Sequence, residues 1–162
     1  MEVILEKAIQ LRKDNKPEEA LSLLKELDLN YPKNPEVNYQ IAWTCDFMGK
    51  EKEAVPYYKK AIEFGLEGDE LKGAYLGLGS TLRCLGEYKD SLNVFNEALT
   101  KFPNERPLKV FKALTLYNLE DYQSSIHELL TQLLDTTSDE NIKVYEKALR
   151  FYSDKLNDTW RD

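Results

Sequence analysis

An all-α fold built from tandem helix pairs is predicted by three features of the 162-residue sequence. The first is a repeat. Leu11, Cys45, Leu82 and Leu116 lie 34, 37 and 34 residues apart. Ala8, Ala42, Gly79 and Ala113 keep those spacings. So do the small residues Ala20, Ala54, Ser91 and Ser125, and the large residues Leu24, Tyr58, Phe95 and Leu129. Columns of like size at one period mark stacked supersecondary units. The unit is 34 residues, with three extra residues before the third copy. The second feature is helical spacing of large and small residues within each copy. The third is a break column, Asn15, Gly49, Gly86 and Glu120. Asn and Gly tolerate a left-handed backbone, so the first three members end a helix cheaply.

The elements follow in order. The four repeats span about 1–34, 35–71, 72–105 and 106–138, each with a first and a second helix. Small residues at repeat positions 8 and 20 let the paired backbones approach. Large residues at positions 4, 11 and 24 fill the space around them. Asn34 and Asn104 are candidate N-caps, and Pro17 and Pro35 suit a first helical turn. Pro32 and Pro103 fall where a second helix must stop. Pro56 lies inside a second helix and predicts a late start or a kink there. Residues 139–156 read as one amphipathic helix, with Ile142, Val144, Tyr145, Ala148, Leu149 and Tyr152 at helical spacings. Thr137 and Glu140 are spaced as a capping box, and Asp139 is an alternative N-cap. A repeat stack needs a terminal cap, and this helix is assigned that role. That gives nine helices and a tail, 157–162, loose apart from Trp160.

The column pattern resembles the tetratricopeptide repeat. The third copy carries it best, through Tyr75, Leu78, Gly79, Leu82, Gly86, Tyr88, Phe95, Ala98 and Pro103. The first keeps Ala8, Leu11, Ala20 and Pro32, and the second keeps Ala42, Gly49, Ala54, Tyr58 and Ala61. The fourth retains Ala113, Leu116 and Tyr122, but Glu120 replaces the turn glycine and Gln132 a small residue. The run from Gly79 to Tyr88 and the closing Tyr145, Ala148, Leu149 and Tyr152 are similar to a bacterial subgroup of that family whose role is unknown. The resemblance implies a single domain, a right-handed α-solenoid of four helix pairs plus the capping helix. It also implies a protein-interaction role.

Composition excludes several functions. Lys and Arg number 22 against 29 Asp and Glu, a net charge of -7. That disfavours nucleic acid, which needs a basic face, and anionic membrane surfaces. No apolar run approaches the roughly 20 residues of a membrane span. The acidic N-terminus lacks a signal-peptide pattern, so a cytoplasmic location is expected. No zinc set or calcium loop is present, and no cofactor is expected. Cys45 and Cys84 read as small, buried or half-buried thiols. His127, the one histidine, is expected on an outward helix as a solvated side chain. No Gly-x-Ser-x-Gly elbow occurs, and no catalytic residue or enzyme activity is assigned. Gly73, Gly77 and Gly79 lie in a first helix without the strand or Gly-Lys-Ser/Thr of a phosphate loop. Gly79 reads as close packing. For Gly73 and Gly77 two readings stand, close packing or approach of a ligand or second chain. Each glycine costs about 1 kcal/mol of helix propensity relative to Ala.

The resemblance places the first helices along a concave groove. Repeat positions 5, 9, 12 and 13 share one helical face. In this chain they are Leu5, Ile9, Arg12 and Lys13; Tyr39, Trp43, Asp46 and Phe47; Leu76, Ser80, Arg83 and Cys84; Val110, Leu114, Tyr117 and Asn118. The apolar and aromatic majority, centred on Tyr39, Trp43 and Phe47, suits anchoring of a peptide or helix of a partner protein. Arg12, Lys13 and Arg83 would steer it. The clamp that some family members use for chaperone C-termini is absent, since its positions hold Leu5, Ile9, Gln40, Gly73 and Leu76. Two other occupants stay open. A second copy of the chain makes a homodimer, and the chain itself fills the groove through its inner helices or its Trp160 tail.

Overall fold

The computed structural model describes residues 1–161 as ten α-helices joined by short turns, with no strand among them. The chain gathers into two compact units, Met1–Glu87 and a second from Tyr88 onward. The first contains α1 (Glu2–Lys13), α2 (Pro17–Asn30), α3 (Pro35–Phe47), α4 (Glu51–Glu63) and α5 (Gly68–Cys84). The second contains α6 (Tyr88–Lys101), α7 (Arg106–Asn118), α8 (Tyr122–Thr136), α9 (Glu140–Lys143) and α10 (Glu146–Tyr152). The fold class is all-α. The division falls at the turn after Gly86, so α5 and α6 of the third copy lie in different units.

The repeat period has a backbone cause. Lys16, Lys50, Glu87 and Asp121 donate their N–H groups to the carbonyls of Leu11, Cys45, Leu82 and Leu116 at 2.9–3.0 Å. This bond closes a helix through a Schellman turn, which needs a left-handed residue just before its donor. Asn15, Gly49, Gly86 and Glu120 supply it, at φ 59°, 68°, 79° and 65°. The fourth turn therefore keeps the geometry although glycine has gone. The three extra residues before the third copy are taken up around Gly65 and Gly68, both left-handed, and in the 17-residue α5.

The small columns lie where helices cross. Ala8, Ala20, Ala42, Ala54, Ser91 and Ala113 are fully buried. In the first unit, α3 packs on α4, α2 and α5, and α1 on α2 and α3. Leu24, Val37, Ile41, Tyr58, Tyr75 and Leu82 fill its core, the aliphatic ones each worth roughly 1.5–3 kcal/mol on burial. The second unit buries Phe95, Leu108 and Leu134 together with more polar groups. Ser91 and Thr115 hydroxyls pair at 2.9 Å, and Ser125 donates to the Ala113 carbonyl at 2.7 Å. Gln132 accepts from Arg106 at 2.9 Å, so the residue that departs from the repeat pattern has become a tie between α7 and α8.

Several expectations are corrected. α4 starts at Glu51 and runs unbroken through Pro56, with no late start. The N-cap of α7 is Glu105, one residue beyond Asn104, whereas Asn34 caps α3 by accepting from Val37 N–H at 2.9 Å. Asp139 caps α9, and Thr137 accepts instead from the Asp139 N–H. The single terminal helix over 139–156 is two short helices, α9 and α10, interrupted at Val144 and Tyr145, so ten helices replace nine. The Trp160 ring packs within its own unit. Its ring lies 5.5 Å from Tyr152 and 6.2 Å from Phe151. Cys84 is exposed, not buried. No helix among the described residues is long and apolar enough to cross a membrane.

Candidate interaction face

In the first unit, α1, α3 and α5 lie side by side, α3 touching both others. Their shared face is built around α3. Arg12 reaches from α1 onto it and is only 4% exposed. Its guanidinium donates to Gln40 Oε1 at 2.8 Å and to Thr44 Oγ1 at 2.9 Å, and stacks over the Trp43 ring at 4.0 Å. Gln40 and Thr44 are one turn apart on α3, so both face α1. Gln40 then donates to Glu70 Oε1 at 3.2 Å, which extends the chain of hydrogen bonds to α5. Burial lowers the Arg12 pKa, opposed by Tyr39 and Tyr58. The planar, delocalised guanidinium suits that site better than an ammonium, because it stacks and donates at once.

A second cluster joins α3, α4 and α5. Thr81 donates to Asp46 at 2.8 Å to one oxygen and 2.9 Å to the other, and Tyr58 donates to Asp46 at 2.9 Å. Burial raises the Asp46 pKa, and the two hydroxyl donors oppose it. Burial, then the Asp46 charge, pushes the Tyr58 phenol far up, so it stays a neutral donor. The Tyr39 hydroxyl and the Tyr58 ring occupy the space that a Cβ would need at Gly73 and Gly77. Those glycines serve close packing, and the atoms approaching the backbone are the chain's own tyrosines.

The twelve candidate residues fall into three groups. Leu5, Arg12 and Tyr39 are buried, and they hold the face together from beneath. Arg12 is committed to α3 and is not a steering charge. Ile9, Leu76, Arg83 and, in the second unit, Val110 are half-buried. Lys13, Trp43, Phe47, Leu114 and Tyr117 are exposed. The structure brings Arg12, Tyr39 and Trp43 together, the two rings 5.8 Å apart. Trp43 and Phe47, one turn apart on α3, keep 44% and 53% of their surface open. In the second unit Tyr117 meets the edge of Tyr122 at 5.1 Å.

Sequence reasoning missed Gln40, Thr44, Glu70, Tyr58 and Thr81, which position the face. The i, i+4 polar pair Gln40 and Thr44 in an otherwise apolar helix was the available signal. It also missed the outer surface of the terminal helices, where Val144 and Tyr145 are 75% and 64% exposed beside Phe151 and Tyr152. A terminal cap is expected to turn a polar side outward, and this one does not.

His127 is exposed on α8 but not merely solvated. Its Nδ1 lies 2.9 Å from Ser153 Oγ. Ser153 has one hydroxyl hydrogen and donates it to the Arg150 carbonyl at 2.8 Å. Nδ1–H of His127 is therefore the donor. That is the wrong polarity for a base that activates a serine nucleophile. Among the described residues no group of His, Cys, Asp and Glu is arranged to hold a metal ion.

Helix pairs closed by one recurrent turn, with an aromatic face on their first helices, define a helical-repeat protein. The chain belongs to the tetratricopeptide repeat family: residues 35–156 match the family described as "Tetratrico peptide repeat". No curated protein sequence matches it. Solved structures do. A MamA fragment from Desulfovibrio magneticus is 18% identical with a TM-score of 0.73, over 94% of this chain and 89% of that one. YrrB, described as a TPR protein with an unusual peptide-binding site, is 18% identical with a TM-score of 0.72, over 95% and 77%. TTC0263, a TPR protein of Thermus thermophilus, is 20% identical with a TM-score of 0.66, over 96% and 84%. At these identities the likeness is one of fold.

Proposed function

We propose that the chain is a non-enzymatic interaction module, and that the α1–α3–α5 face binds a peptide or helix of a partner protein. The exposed pair Trp43 and Phe47 carries this reading. Large aromatic side chains left open on a rigid helix are the residue types that dominate binding hot spots. Trp43 is also held in place from below by Arg12, so its ring is ordered before a partner arrives. Pre-ordering lowers the entropy lost on binding. The peptide-binding description of YrrB, a protein of similar fold, supports the same reading. Ile9 on α1 and Leu76 on α5 are half-buried members of the same predicted face.

The test is a crosslinking pull-down with the wild-type chain and with Trp43→Ala/Phe47→Ala. The reading expects a specific partner that the double variant no longer retains. Undiminished capture by the double variant would place the binding surface elsewhere. Sedimentation at several concentrations examines the other occupant, a second copy. A monomer throughout leaves the face to another protein, whereas a concentration-dependent dimer abolished by the same double variant assigns the face to self-association.

A further inference from the structure

We propose that this face takes an acidic amphipathic segment of a partner protein, its apolar side on Trp43 and Phe47 and one of its carboxylates on Arg83. The inference rests on the face being an interaction site, and it names the chemistry of what binds there. The argument is charge complementarity. The last turns of α1, α3 and α5 bring repeat positions 12 and 13 to one edge of the face. That edge carries Arg12, Lys13, Asp46, Phe47 and Arg83. Arg12 and Asp46 carry opposite charges that offset each other, and both are held within the unit. Arg12 is spent on Gln40 and Thr44, and both Asp46 oxygens accept hydrogen bonds from within the unit. Lys13 and Arg83 form no ion pair among the described residues. Arg83 Nε is shielded from solvent with no hydrogen-bond partner. The open charge of the edge is therefore positive, and its guanidinium has an unused donor.

The opposite edge differs. Glu36 and Glu70 stand in the first turns of α3 and α5. A bound segment would thus be drawn to one edge by its carboxylate and repelled from the other, which fixes its register. A guanidinium meets a carboxylate through two parallel N–H donors, and Arg83, whose Nε has no hydrogen-bond partner, has such a fork to offer. Trp43 lies between the edges and Phe47 at the basic one, and together they supply the apolar anchor.

A phage-displayed library of random 16-residue peptides, panned in parallel on the full-length wild-type chain and on Trp43→Ala/Phe47→Ala, tests this directly. The expected result is enrichment on the wild type alone of segments with an apolar pair and an Asp or Glu at a fixed offset. The best such peptide should bind Arg83→Gln about tenfold more weakly. Its own carboxylate-to-amide version should lose the same amount on the wild type and lose nothing further on Arg83→Gln. Arg83→Lys and Lys13→Gln, each expected to weaken binding two- to threefold, serve if Arg83→Gln melts early. Segments that need Trp43 and Phe47 but show no acid preference, or prefer bases, overturn the proposal and leave the interaction face standing. No enrichment beyond the double variant overturns both.

Discussion

Single residues in the first unit do work that their sequence positions conceal. Arg12 shares a repeat column with Arg83, yet one is a buried strut and the other an open charge. The difference arises because Gln40 and Thr44 sit opposite Arg12 and offer acceptors. Gly77 is a sharper case. Replacement by Ala gains about 1 kcal/mol of helix propensity. The new methyl would meet the buried Tyr58 ring, whose hydroxyl is tied to Asp46. Overpacking of that kind costs about 1–3 kcal/mol, so Gly77→Ala should lower the urea midpoint. A higher midpoint would show that Tyr58 moves freely. Glu120 predicts the opposite sign. It holds φ 65° without the freedom of glycine. Glu120→Gly should stabilise by about 0.5–1 kcal/mol, the strain relieved less the added freedom of the unfolded chain.

Asp46 gives a pH dependence. Burial raises its folded-state pKa, with Thr81 and Tyr58 opposing. The folded chain then keeps that proton to higher pH than the unfolded chain does. This contribution favours folding below the ordinary carboxylate range and is lost as pH rises through the raised value. Asp46→Asn keeps an acceptor for both hydroxyls, so it should remove that slope and change stability at neutral pH by less than about 1 kcal/mol. Asp46→Ala strands both donors and should cost about 2–3 kcal/mol. Denaturant titrations at pH 4 to 8 measure all three. Equal losses for Asn and Ala at every pH would contradict this role.

Whole elements were legible where the backbone itself repeats. The Leu11, Cys45, Leu82 and Leu116 column could be read from side-chain size, and the structure supplies its cause in the carbonyls that close each helix. Element ends were legible where a side chain caps them, as at Asn34 and Asp139, and not elsewhere. Asn104 has the right chemistry for a cap but stands one residue too early. The terminal segment has helical periodicity throughout, yet it breaks at Tyr145, the residue that precedes α10. Pro56 shows how much tertiary packing tolerates. It sits in the interior of α4, where its ring and missing N–H cost about 3 kcal/mol. Its side chain is exposed, so Pro56→Ala removes no core contact. That variant should gain about 1–3 kcal/mol in chemical denaturation, and an unchanged midpoint would mean that α4 bends to relieve the proline at no cost.

At the scale of the molecule, the all-α class and the repeat were readable because each helix pair meets mainly its neighbours, so local columns decide the packing. Exposure was less readable. Leu5, Tyr39 and Trp43 share a predicted face, and only Trp43 stays open, since burial depends on which side chains a neighbouring helix brings. The net charge of -7 takes on a local meaning as well. It coexists with an edge whose free charges are Lys13 and Arg83. Calorimetric titration with one library-selected peptide, on the wild-type chain and on Trp43→Ala/Phe47→Ala, addresses that face most directly. The double variant should melt close to the wild type, because both side chains are about half open, yet bind at least ~100-fold more weakly. Equal affinity in the two chains would contradict the assignment of the face.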